Sequence, residues 1–191
     1  MTDTIERDRL AGAREQAQAQ FDSIKEMVAR LNAAEDDDAY ADMAEDLARE
    51  AGYALAAIED DRTVFYHYGK DGTYDDTEFE TEADAWFAAC EDNGLRPDYD
   101  EARQAIEENA LSVQVRSGWY SPGEKGEPEE YEILLCTGGP AVRIVGDLGM
   151  HNQPDLARLE CQDWFTPWTE VFDGIDQSIL LDYARVFYFG E

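Results

Sequence analysis

The stretch YEILLCTGGPAVRIVG, residues 131–146, decides the fold class. Two apolar, β-rich runs, Tyr131 to Cys136 and Ala141 to Gly146, flank Thr137-Gly138-Gly139-Pro140, a link too short for anything but an antiparallel neighbour. The same texture continues on both sides. Leu111 to Arg116 and Ala157 to Asp163 are further β-rich runs, set apart by Ser121-Pro122-Gly123 and Asn152-Gln153-Pro154. Short connections predict an antiparallel meander rather than parallel crossovers. Within 175–188, Ile179, Leu180, Tyr183, Val186 and Phe187 mark a helix able to cover one sheet face.

Upstream of residue 110 the period changes from two to about 3.6. Leu10, Ala13, Ala17, Phe21, Ile24, Val28 and Leu31 recur at steps of three and four, so residues 1–34 read as one long helix. Its seven-residue rhythm allows a homodimeric coiled coil, although Ala and Phe at the seam favour an intramolecular helix hairpin. The break falls at 32–38, where Glu35-Asp36-Asp37-Asp38 supplies an N-cap and first-turn carboxylates. Tyr40, Met43, Ala44, Leu47, Ala51, Leu55 and Ile58 then predict a second helix running through Gly52 and pairing with the first. Arg62 to Tyr68 reads as a strand, ended by Gly69-Lys70-Asp71-Gly72, with 77–80 as its hairpin partner. Thr81 caps a helix that stops at Asn93-Gly94, and another helix spans Tyr99 to Asn109. The expected architecture is α+β: a mainly helical acidic region, 1–110, with a helix hairpin and a short β-hairpin, and an antiparallel sheet region with a C-terminal helix, 111–191.

The chain has 191 residues, enough for one well-buried domain or two small ones. Its 45 acids against 15 bases give a net charge of −30, which excludes direct binding to DNA, RNA or anionic lipid. Disorder is excluded too, because 43% of residues are hydrophobic and 12% aromatic. The polar N-terminus carries no signal or transit pattern and no window reaches the length of a membrane span, so a cytoplasmic protein is expected. Cys90, Cys136 and Cys161 are an odd number in apolar surroundings, which suits buried thiols. With no CxxC spacing and two distant histidines, His67 and His151, neither a metal nor another cofactor is expected.

The charge is uneven. Residues 35–108 hold 25 acids and five bases, net −20, whereas 1–34 net −1 and 109–191 net −9. The candidate partner-binding acids are Glu35, Asp36, Asp37, Asp38, Asp42, Glu45, Asp46, Glu59, Asp60, Asp61, Asp75, Asp76, Glu78 and Glu80. Asp38, Asp42, Glu45 and Asp46 are three or four apart, which places their carboxylates on one side of a helix. A fixed field of that kind parallels the phosphate rows of duplex DNA, about one charge per 1.7 Å of axis. It fits the basic groove of a nucleic-acid-binding protein. The same runs also suit a solvated helix face, and three lysines against twelve arginines suits salt adaptation.

Catalytic signals are weak by comparison. Carboxylate pairs occur anywhere among 45 acids and discriminate nothing. Cys136 with His151 is the one thiol and imidazole combination in the sheet half, yet a Cys ending an apolar strand belongs to a core. Gly138-Gly139-Pro140 lacks the Lys and Ser/Thr of a phosphate loop, and 71–76 has the wrong order for a calcium loop. No enzyme is expected. Trp119, Tyr120, Trp164 and Trp168, beside turn residues, are candidate anchors for a partner or filling between sheet and helix.

The stretch 111–191, with Arg116-Ser117-Gly118-Trp119-Tyr120, Leu134-Leu135-Cys136-Thr137-Gly138-Gly139-Pro140-Ala141, Gln162-Asp163-Trp164-Phe165-Thr166-Pro167-Trp168 and the ending Phe187-Tyr188-Phe189-Gly190-Glu191, resembles small uncharacterised accessory proteins of proteobacterial plasmids, integrative elements and phages. Thr81 to Asn93, with Ala85-Trp86 and Cys90, is similar to another segment of such proteins. The resemblance covers under half the chain and brings no catalytic motif. It implies a mobile-element setting, in which acidic proteins act as DNA-mimicking antirestriction or anti-CRISPR inhibitors. The leading expectation is therefore a non-enzymatic inhibitor occupying the basic groove of a restriction or CRISPR type defence protein. The alternative is a regulatory adaptor of the mobile element that binds through the aromatic sheet half, its acids serving solubility.

Overall fold

The computed structural model describes residues 2–59, 63–69, 71–72, 77–124 and 126–190. Among them the chain is α+β, with five helices and two antiparallel sheets. It divides into two compact units: residues 1–28 with 103–191, and residues 29–102. One boundary falls inside helix α1, Thr2–Glu35, and the other inside helix α4, Tyr99–Asn109, so neither lies at the change of texture near residue 110.

In the unit of residues 29–102, α1 gives way to α2, Asp37–Ala51, at Asp36. The backbone of Asp36 is extended, at φ −117° and ψ 128°, and its carboxylate accepts the Ala39 N–H. The expected continuation of this helix to Ile58 does not occur. Gly52 takes the left-handed conformation, φ 94°, that closes a helix without a Cβ penalty. Leu55 and Ile58 instead lie on strand β1, Ala54–Glu59. An Ala-rich segment has little strand preference of its own, and its pairing with β2, Thr63–Tyr68, overrides the helical spacing. Thus β1 is the partner of β2, and the expected partner 77–80 contributes one bridge, Phe79 to Phe65. Arg62 and Lys70, expected at the edges of β2, are outside the described residues.

Helix α3, Glu82–Asn93, is bounded as its caps predict, by the Thr81 hydroxyl and by Gly94 at φ 60°. Its buried face, Trp86, Ala89 and Cys90, packs on Tyr40, Ala44, Leu47 and Ala48 of α2, with Ala33. The partner of α2 is therefore α3, not the long helix that the hairpin reading assigned to it. Cys90 donates its S–H to the Ala44 carbonyl at 3.2 Å, and the Tyr40 and Phe87 rings meet edge to face at 5.4 Å. On β2 the imidazole of His67 is buried beside Tyr53 and Phe79, with Nε2 3.7 Å from Asp92.

The other unit holds a five-stranded meander in sequence order: β3, Ser112–Arg116; β4, Glu130–Cys136; β5, Ala141–Asp147; β6, Arg158–Gln162; and β7, Thr169–Glu170. The two-residue β7 is too short to announce itself in the sequence. Alternation along β4 to β6 buries Tyr131, Ile133, Leu135, Val142, Ile144, Leu159 and Cys161 on one face. Helix α5, Gln177–Ala184, is shorter than the expected 175–188 and meets β6. It is tied to α4 by Tyr183, whose hydroxyl donates to Asn109 at 2.8 Å. Ala13, Ala17, Phe21, Ile24 and Val28 of α1 are buried within the single chain. Leu10 and Leu31, at the two ends of the heptad row, are half-buried.

Candidate functional site

The acidic candidates fall in one compact unit, because residues 29–102 carry 23 acids and five bases, net −18 over 74 residues. Asp36 is the α2 cap, and Asp37 and Asp38 sit in the first helical turn, where the helix dipole favours negative charge. Three arginines then pair with acids of this unit, two of them candidates, Asp37 and Glu45, and one not, Glu50. Arg96 places Nη1 2.8 Å from Asp37, donates Nε–H to the Ala33 carbonyl and lies over the Tyr40 ring at 5.0 Å. Arg49 pairs with Glu45 at 2.8 Å while its guanidinium covers Trp86 at 4.9 Å, and Arg30 pairs with Glu50.

Four carboxylates remain. Glu35, Asp38, Asp42 and Asp46 are exposed and form no ion pair among the described residues. The last three follow an i, i+4, i+8 row along α2, a rise of about 6 Å per step. Glu78 and Glu80 lie on another segment, either side of Phe79, and Glu78 accepts the Tyr66 hydroxyl at 3.0 Å. Asp60, Asp61, Asp75, Asp76 and the side chain of Glu59 lie outside the described residues.

The aromatic candidates separate by environment. Trp119 is fully exposed and Tyr120 largely so, on the link between β3 and β4. Trp164 is also exposed, with its ring against Gly139, where a Cβ would overlap it. Its neighbour Phe165 is 95% exposed at φ 65°, a conformation that L side chains rarely adopt. Trp168 is half-buried and stacks on the Arg143 guanidinium at 4.1 Å.

Sequence reading did not bring out the second face of the meander. There Arg143 joins Glu132 and Glu160, its Nε donating to Glu160 at 2.8 Å, and Arg116 pairs with Glu130. With Arg158 these groups line a groove of about 320 Å³. The signal was present in the alternation of Glu130 and Glu132, Arg143, then Arg158 and Glu160, but reading it needs the strand register.

Thiol chemistry finds no support in this arrangement. Burial pushes the Cys90, Cys136 and Cys161 thiols up, the reverse of what an activated nucleophile requires. Among the described residues no group of three or more His, Cys, Asp or Glu is placed to hold a metal ion, and no helix is long and apolar enough to cross a membrane. No known protein family, curated protein or solved structure matches this chain.

Proposed function

We propose that this protein is a non-enzymatic, cytoplasmic inhibitor whose acidic unit takes the place of a nucleic-acid backbone in the basic groove of a defence protein of restriction or CRISPR type. The observation that carries this reading is the unpaired row of Asp38, Asp42 and Asp46 on the exposed side of α2, in a unit of net −18. A helix gains nothing from like charges at that spacing, since each pair costs a few tenths of a kcal/mol. Arg30, Arg49 and Arg96 are held by other groups, which leaves the row open to an incoming cationic surface. Such a surface associates fast and loses affinity steeply as salt rises.

The test is affinity capture from host lysate at low and high salt, then binding of the captured partner by the Asp38→Asn/Asp42→Asn/Asp46→Asn variant. Weaker binding with a shallower salt dependence supports the reading, and unchanged inhibition by the variant overturns it. A second reading, an adaptor acting through the sheet half, is favoured by the exposure of Trp119, Trp164 and Phe165. It predicts that Trp119→Ser with Phe165→Ser abolishes partner capture, that the Asn variant does not, and that the captured partner survives high salt.

A further inference from the structure

The outer sheet groove holds three arginines and three glutamates, Arg116, Arg143, Arg158, Glu130, Glu132 and Glu160. They are not matched one to one. Arg143 engages both Glu132 and Glu160, and Arg116 engages Glu130. Arg158 is left over: among the described residues it forms no ion pair, and its Nε is buried without a hydrogen-bond partner. The register explains the mismatch. Gln114, Glu132, Val145 and Arg158 form one cross-strand row, so the residue facing Arg158 on β5 is a valine rather than a carboxylate. Half-buried and lacking an anion, the guanidinium has given up part of its hydration without a return.

We propose that this groove binds a small monocarboxylate with a short apolar body, its carboxylate on Arg158. A guanidinium presents paired N–H donors in the plane and spacing that a carboxylate matches. Val145, next to Arg158 in the cross-strand row, supplies apolar wall for the body of the ligand. The volume of about 320 Å³ lies at the small end of the usual range for ligand pockets. Charge restricts the class further. The six charged groups sum to zero, so a monoanion is accommodated, whereas a second negative charge would meet the glutamates that hold Arg143 and Arg116.

The probe is isovalerate, titrated into the full chain while the arginine Nε–Hε resonances are followed by NMR, with isovaleramide as the uncharged control. The expected result is a saturable shift of the Arg158 resonance with isovalerate and none with the amide. Affinity should fall by roughly tenfold or more in Arg158→Gln, the loss of a charged anchor. Val145→Glu places an internal carboxylate opposite Arg158 and should block the probe to the same degree. Arg49→Gln, on α2, should leave binding unchanged. Absence of a saturable shift, an equal response to isovaleramide, or wild-type affinity in a folded Arg158→Gln or Val145→Glu chain overturns the proposal.

Discussion

At the scale of single residues, close approach and burial set the strongest constraints. Gly146 on β5 leaves no room for a methyl group, because a Cβ there would overlap the Leu156 carbonyl oxygen and press the Tyr131 ring at 2.7 Å. Tyr131 is itself fixed, donating its hydroxyl to that same carbonyl at 2.9 Å. Gly146→Ala should therefore cost about 3 kcal/mol, at the upper end of overpacking penalties, read as a lower urea midpoint. The weak acids that the fold shields wholly or in part act in the alkaline range. Burial raises the Cys90, Cys136 and Cys161 thiols and the Tyr40, Tyr131 and Tyr183 phenols above their ordinary values. As pH passes about 8.5 and then about 10, the unfolded chain loses these protons first, so it binds fewer protons than the folded one and stability falls as pH rises. Urea midpoints should drop between neutral pH and the phenol range, and a flat profile would mean that these groups are not held protonated by the fold.

Elements formed where local signals and burial agreed. Helix α3 is the clearest case, with Thr81 accepting the Asp84 N–H at 3.1 Å and Gly94 closing the other end. Thr81→Ala should cost about 1 kcal/mol, measured by chemical denaturation, and Thr81→Ser should recover most of it. The end of α2 was less legible. Gly52 reads equally as a tolerated interruption or as a stop, and the apolar residues beyond it happen to continue at helical spacing. Its left-handed backbone and the hydrogen bonding of β2 to β1 settled the matter, and both depend on a partner strand that the sequence near Gly52 does not contain. Within the candidate site, the row Asp38, Asp42 and Asp46 was visible from spacing alone. That Asp37 is neutralised was not, because its partner Arg96 arrives from 59 residues away.

For the whole molecule, the net charge of −30 acts against compactness, most densely in residues 29–102. Raising ionic strength from about 0.01 M to about 0.1 M shortens the screening length from about 30 Å to about 10 Å. The melting temperature should therefore rise over that range, in the direction opposite to the affinity of the proposed complex. Replacing Asp38, Asp42 and Asp46 by Asn should shrink the salt effect on stability, because it removes part of the repulsion. A melting temperature independent of salt would show that the carboxylates are too far apart or too well solvated to repel one another measurably.

The sequence by itself determined which segments are helix and which are strand across most of the chain, the antiparallel meander, and the concentration of acid in its middle. Period, turn chemistry and composition are local properties, and residues a few positions apart carry them. Only the tertiary structure decided that α2 packs on α3, that β1 pairs with β2, which carboxylates stay unpaired, and that Arg158 faces a valine. Those outcomes rest on contacts between residues distant in the chain, set by strand register and helix packing, which no local pattern encodes.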